Sequence, residues 1–486
     1  FPLSTGTPDG IWSAKPVQIV AGGDISGLNL VAQNLSSSDV TSILAGGNVT
    51  YPQERVASGQ VLADASGIAI DGPGELELTA GGNVNLGTSN GIITRANLVN
   101  PVLPSTGANI SVQAGIGAAS PAQYAAFINT YIDNSSQFDS NLTSYIESID
   151  NLSGLTAAQA KRIFNAIGPE LQRVYVEDLF FDLLQYYGSK EAASGNGDFS
   201  GAFAAISKLF PGANPAAGST NPYQGNINLY FSQIYTEQGG NVSLLAPGGG
   251  IDAGLALAPA SFGIDKQPDQ LGIVAATTGN VSTFTYGDLQ IDQSRLFAAN
   301  GGDITVWSTD GNIDAGAGAK TSISAPEVNI AYDSNGQPTT SLRAAIAGSG
   351  IEALAATPGV SPGNVYLFAP RGVVNAGDAG IVAGNLTVAA TAVIGANNIT
   401  VSGTSVGVPL APPALGANFA GASSTAGSTA AAAENFNASS GNSGGTPVAD
   451  AAIGWLDVFV TGLGEADCKP DDLECLKHEG TKARPQ

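Results

Sequence analysis

The stretch GGDITVWSTDGNIDAG, residues 301–316, limits what this chain can fold into more than any other feature, because it returns. The chain reads GGNVSLLAPGGGIDAG from residue 239, PGNVYLFAPRGVVNAG from 362 and GGNVNLGTSNGIITRA from 81. Each copy reads as strand, turn, strand. Ile304 and Val306 alternate with Thr305 and Trp307, Val242 and Leu244 with Ser243, and Val365 and Leu367 with Tyr366. A period of two turns one face inward. The Gly-Asn, Gly-Asp and Asp-Gly pairs mark positions where the backbone is expected to take positive φ, which Gly tolerates freely and Asn or Asp better than the rest.

Openings of the same type at Gly22, Gly46, Gly81 and Gly107 lie 24, 35 and 26 residues apart. Antiparallel hairpins, or a β-sandwich with Gly-rich loops, would place turn signals at steps of about 8–12 residues. Coil-sized spacing and internal similarity predict a parallel β-solenoid (β-helix) instead, each coil stacked on the last. Parallel pairing sets like residues above one another, so Val, Ile and Leu would fill the interior. Each contributes roughly 1.5–3 kcal/mol before conformational entropy is counted.

Composition agrees with a thin apolar interior under a neutral polar surface. Charged residues are 12% of the 486, Gly numbers 64, and hydrophobic residues reach 43%, too many for a disordered chain. A net charge of −23 argues against nucleic acid and against an anionic membrane surface as partners. It suits a soluble extracellular chain. With no Met and with Phe at residue 1, the expectation is a processed or excised piece of a longer product.

Residues 119–212 break the pattern: glycine thins and aromatics concentrate. Phe199, Phe203, Ile206 and Phe210 fall on one face of a helix with Asp198 as the expected N-cap. Thr156 and Gln159 form a capping-box pattern, and Gly168-Pro169 separates that helix from the next. Four to six helices are expected. Their aromatics would form a core and a dock onto the solenoid, or, on a sharper reading, a carbohydrate-binding face.

The expected fold is mainly β: a parallel β-solenoid over 1–118 and 213–403, an inserted α-helical subdomain over 119–212, and a flexible C-terminal tail. An Ala/Ser/Gly-rich linker over 404–449 cannot bury a core. It leads to a segment over 450–486 that contains the only cysteines, Cys468 and Cys475. Their spacing is short enough for a disulfide loop, whose closure would restrain the chain by roughly 2–3 kcal/mol. A Cys468–Cys475–His478 metal site is the competing reading.

For chemistry, Asp288, Asp292, Asp303, Asp310 and Asp314 lie within two coils. A carboxylate pair among them could serve glycoside hydrolysis. Asp beside Gly is also what a solenoid turn favours. The one histidine, His478, lies in the tail, leaving the coils no material for His-based acid–base work. No catalytic, cofactor or metal site is expected there. Sequons such as Asn48-Val49-Thr50 and Asn241-Val242-Ser243 are products of the repeat.

The Gly-Gly-Asn/Asp-Val/Ile openings, the inserted aromatic helices and the block NPYQGNINLYFSQIYTEQGGNVSLLAPGGGIDAG, residues 221–254, resemble the C-terminal region of filamentous-haemagglutinin-family exoproteins, over roughly residues 17–403. These are bacterial two-partner-secretion adhesins. The resemblance implies a right-handed β-helix, export through an outer-membrane β-barrel transporter, and attachment or biofilm formation on glycans or host surfaces. It also implies an amino-terminal secretion domain outside this chain. The tail resembles the cysteine-paired anchor of some such adhesins, which would make Cys468 and Cys475 the retaining pair. Thr429-Ala430-Ala431 resembles the small-residue sites of proteolytic release, with Ala432 where those sites carry Gly. The alternatives kept open are a filament subunit that self-associates through its solenoid ends and a polysaccharide-active β-helix enzyme.

Overall fold

The computed structural model describes residues 10–408 apart from 53–63, 98–101, 151, 217, 256–265, 267–269, 319–321, 324–326, 333–337 and 344–345. The linker beyond 408, Thr429–Ala431 and the Cys468–Cys475 segment lie outside the described residues. The repeat winds into successive coils, each with a long strand, a short strand and a third strand. From the first coil to the ninth, the long strands are Gln18–Ala21, Val40–Ala45, Glu75–Ala80, Asn109–Ala114, Val242–Ala246, Val281–Thr285, Ile304–Ser308, Val365–Asn375 and Leu386–Ile394. Each pairs in parallel with its counterpart in the coils above and below. Short strands such as Ile227–Asn228, Ile251–Asp252, Leu289–Gln290 and Ile313–Asp314 stack likewise. So do the third strands, among them Ile92–Arg95, Gln233–Thr236, Gly272–Ala275 and Arg295–Ala298. This is the parallel β-helix that the alternation predicts.

Parallel register stacks one residue type through many coils. Leu76, Ile110, Val242, Val281, Ile304, Val365 and Leu386 form one inward column, and all are fully buried. A neighbouring column runs Leu78, Val112, Leu244, Thr283, Val306, Leu367 and Val388. Thr283 is its one hydroxyl, buried with no hydrogen-bond partner for Oγ1.

The expected positive φ holds at some of these glycines, Gly240 and Gly72 among them, and others have a different reason. Gly301 and Gly316 have positive φ, but Gly302 and Gly311 do not. Among the described residues only Tyr230 and Asp292 are non-glycine residues with positive φ. The turn Asn and Asp residues therefore do not serve by adopting it. Gly302 is required because a Cβ there would stand 1.8 Å from the carbonyl oxygen of Gly279 one coil below. Gly363 meets Gly302 and Gly372 meets Gly311 in the same way. Coil spacing near 4.8 Å leaves no room for a side chain where two corners stack.

The Asn and Asp residues tie one coil to the next. Asn280 Oδ1 accepts the Asp303 N–H at 2.8 Å, and Asp303 Oδ1 accepts the Asn364 N–H at 2.7 Å. At the second corner Asp288 Oδ1 accepts the Asn312 N–H and Asn312 Oδ1 accepts that of Val373. Each supplies an acceptor to an N–H that turns away from the strand ladder. The sequon residues Asn48 and Asn241 are members of the same ladders. Asp314 Oδ1 accepts the Gly316 N–H and closes the phrase on its left-handed glycine. The sixteen residues thus place two close approaches, two inter-coil acceptors, two strands and a left-handed glycine at either end.

Five α-helices interrupt the fourth coil between its long and short strands: α1 (Tyr124–Ile128), α2 (Asp139–Asp150), α3 (Ala157–Phe164), α4 (Pro169–Ser194) and α5 (Ser200–Leu209). The capping box of Thr156 and Gln159 is present, and Pro169 opens α4 behind Gly168. Gly195, at φ 65°, ends α4. Asp198 is not the N-cap of α5. Phe199 holds that position, and Asp198 accepts the Ser200 N–H and hydroxyl just outside the helix. In the seventh coil the chain makes an excursion the repeat gives no sign of. There Glu327–Tyr332 pairs antiparallel with Pro338–Arg343, and Ser322–Ile323 with Ile346–Ala347.

Two substitutions check the stacking. Gly302→Ala should lower stability by about 1–3 kcal/mol through overpacking, while Gly22→Ala, where a Cβ meets nothing within 4 Å, should stay within about 0.5 kcal/mol. Thr283→Val should raise stability by about 1 kcal/mol, because it removes an unpaired buried hydroxyl from an aliphatic column. Thermal unfolding followed by circular dichroism measures all three.

Candidate functional site

The most elaborate surface among the described residues is the outer face of the long strands, which the helices cover. Outward positions of a strand that meet water are commonly polar, yet Leu245, Phe284, Trp307 and Phe368 stack here in register. All four are fully buried, in one cluster with Phe127, Phe180, Phe210 and other helical side chains. Phe180 packs edge-on to Phe284 at 5.0 Å between ring centroids, Phe210 stacks on Phe284 at 5.8 Å, and Phe199 lies edge-on to Trp307 at 5.9 Å. Trp307 Nε1 donates to Thr309 Oγ1, so its one polar atom is paired. The aromatics of residues 119–212 are a core and a dock, with Tyr186 left half exposed.

The same face changes character toward the earlier coils. Glu75 and Glu77 point outward from the third coil and are buried under α4. Arg173 binds Glu77 through two bonds, Nε to Oε1 at 3.0 Å and Nη2 to Oε2 at 2.8 Å. Glu177 accepts from Ser111 Oγ at 2.6 Å, from Gln113 Nε2 and from the Tyr124 hydroxyl. Burial, with the Glu77 charge beside it, pushes the Glu177 carboxyl up to about 8, while the Ser111 bond opposes the rise. Burial drives Glu75 well above the usual carboxylate range, with Asp178 and Glu177 adding to it.

One helix spans both halves. Arg173 faces the third coil, Glu177 the fourth and Phe180 the sixth, while a Cβ on Gly188 would strike the Phe368 ring of the eighth at 2.6 Å. Fifteen helical residues rise roughly 22 Å, and five coil steps rise roughly 24 Å. α4 therefore runs along the solenoid axis and braces about six coils.

The candidate carboxylates are dispersed. Asp288 and Asp303 are ladder acceptors. Asp310 lies 3.6 Å from Arg371 and accepts from the Tyr286 hydroxyl. Only Asp292 and Asp314 come together, joined by Asp252, which the sequence reading did not single out. Asp252 and Asp314 occupy equivalent places in the fifth and seventh coils with Gln290 between them. Asp292 has φ 53° and is buried. Burial pushes its carboxyl up to about 7, with Asp252 and Asp314 adding to the rise. The signal for this site was readable in chain order, since glycine holds the equivalent corner at Gly254 and Gly316. Among the described residues no three His, Cys, Asp or Glu side chains are arranged to hold a metal, and no helix is long and apolar enough to cross a membrane. Cys468, Cys475 and His478 lie outside the described residues.

Residues 301–410 match a family model described as filamentous haemagglutinin family outer membrane protein. The resemblance read from the repeat is thereby shown over the seventh coil onward, a span that includes the copies at 301–316 and 362–377. No curated protein and no solved structure matches the chain.

Trp307→Ala should loosen the helices by about 3–5 kcal/mol, measured as faster proteolysis of α1–α5 with the coils intact. Asp292→Gly should stabilise. It removes about 1 kcal/mol of left-handed backbone cost and a carboxyl whose folded pKa is raised. A raised carboxyl stabilises below its unfolded value and loses that contribution as pH rises through about 7. The gain in Tm should therefore be larger at pH 8 than at pH 5.

Proposed function

We propose that this chain is a non-enzymatic surface adhesin or stalk, exported by two-partner secretion and retained by its looped tail, and that it acts in attachment or biofilm formation. The observation that carries the reading is the coil stack itself, a rod built by nearest-neighbour contacts, together with the family match over 301–410. That match supports an outer-membrane, adhesin-like protein. Coils that need only the coil beneath them can form progressively as a chain emerges from a pore, which suits passage through a β-barrel transporter. Glycans, or host and biofilm surfaces, are the proposed targets. Cys468 and Cys475 are the proposed retaining pair, and Thr429-Ala430-Ala431 the proposed release site.

A second reading, end-to-end self-association, draws on the first strand, Ile11–Trp12. Among the described residues it pairs on one side, with Leu30 and Val31, and both its side chains are about half exposed. A strand edge left open in the assembled protein would be a template for another strand. Sedimentation of the purified chain across a hundredfold concentration range separates a monomer from an assembling species.

The anchoring reading is tested with Cys468→Ser and Cys475→Ser in the cell that exports the chain. Both should move protein from the cell-bound to the released fraction, by severalfold on immunoblots. Equal partition with the wild type sinks the anchor and leaves the stalk standing.

A further inference from the structure

The surface that α4 covers is built from residues that follow it in the chain. α4 ends at Ser194, yet its seat includes Phe284, Trp307 and Phe368, and it touches the ninth-coil strand Leu386–Ile394. A coil needs only the coil beneath it. The helices cannot take their final place until coils five to nine exist. The covered face also divides in two. Its later half is aromatic. Its earlier half sets the carboxylates of Glu75, Glu77 and Glu177 around the single guanidinium of Arg173.

We infer that the helical insertion is a latch, which closes over the third to ninth coils after they have formed and opens as a unit when negative charge builds up in its polar half.

The groups facing that half are few. The third-coil strand contributes Glu75 and Glu77, with Asn109 of the fourth coil bonded to Glu75. α4 contributes Arg173 and Glu177, with Glu170, Asp178 and Asp182 along the same helix. α1 adds the Tyr124 phenol and α2 that of Tyr145, and burial holds both protonated. Arg173 neutralises one carboxylate, through its paired bonds to Glu77. Glu75 and Glu177 are accommodated without a second cation only while they hold protons. Both folded pKa values are raised, so the contribution to docking is present below the usual value of 4.5 and is lost as pH rises, through about 8 for Glu177. The aromatic half carries no such dependence. It sets how far the latch opens, because release puts Phe284, Trp307 and Phe368 into water.

Hydrogen exchange of the full chain at pH 5.5 and 8.5, corrected for intrinsic rates, reads the latch directly. The helices α1–α5 should lose protection together, by about tenfold or more, the change that one unit of pKa difference brings. The strands Val242–Ala246, Val281–Thr285 and Ile304–Ser308 should keep theirs. Glu177→Gln removes one of the unmatched carboxyls and leaves Glu75 and Asp178, so it should reduce the change, and Glu75→Gln combined with Glu177→Gln should reduce it further. Three outcomes overturn the inference: helices and strands losing protection together, helix protection independent of pH, or an undiminished pH effect in Glu177→Gln. Should that variant fail to fold, a chain carrying Trp12→Phe and Trp455→Phe leaves Trp307 as the sole indole. Its quenching by acrylamide should rise severalfold from pH 5.5 to 8.5, and unchanged quenching overturns the latch as well.

Discussion

Everything in this molecule answers to the short distance between one coil and the next. Backbone hydrogen bonds between parallel strands set that distance near 4.8 Å, and no side chain can be interposed where corners stack. Gly302 above Gly279 and Gly363 above Gly302 are consequences of it. So is the scarcity of charge, since like charges in one column would face each other at the coil spacing. The ladders obey this rule: Asp303 lies between Asn280 and Asn364, and Asp288 is followed by Asn312. On the short strands Gln290 separates Asp252 from Asp314. Asp292 is the exception. It stands beside both carboxylates, in a corner that glycine fills elsewhere, and its raised carboxyl is the result.

The helical insertion works against the one-dimensional character of a solenoid. In the coils, stability is a sum of nearest-neighbour terms. α4 crosses about six of them, so its contacts tie the third coil to the eighth. It also covers the outward column Leu245, Phe284, Trp307 and Phe368, which a bare rod would expose. The two halves of that dock differ in kind. Aromatic burial is insensitive to pH, whereas a buried cluster with more carboxylates than cations is stable only with protons in it.

Much of the coil architecture was legible from periodicity. Ile304 and Val306 point inward as alternation requires, Thr156 and Gln159 cap α3, and Gly168-Pro169 opens α4. The role given to the turn residues was legible only in part. The Gly-Asn and Gly-Asp pairs were recognised as turn formers, but the service of Asn280 and Asp303 as acceptors for the coil above depends on stacking and has no local signature. The outward aromatics did leave a sign. In SLLA, STFT, TVWS and YLFA a large apolar residue occupies the place where a water-facing strand would put a polar one. The break alone does not mark a covered face, because Val20 and Leu44 hold the same place in the first two coils and stay exposed; the large aromatic rings of the later coils are what set the covered part apart. The antiparallel excursion in the seventh coil left no comparable trace, while the site around Asp292 left one only in the aspartate that stands where Gly254 and Gly316 stand in their coils.

By itself, the sequence determined the coil: where strands run, which side chains turn inward, and where glycine must stand so that coils can approach. Those properties are local, or repeat at coil-sized steps, because a parallel stack asks the same of each turn. Which residues the helices would meet was decided only in three dimensions. Arg173 finds Glu77 and Phe180 finds Phe284 across roughly a hundred residues of chain. No spacing rule encodes such pairs, because the match depends on a helix and a stack of coils advancing at nearly the same rate along one axis.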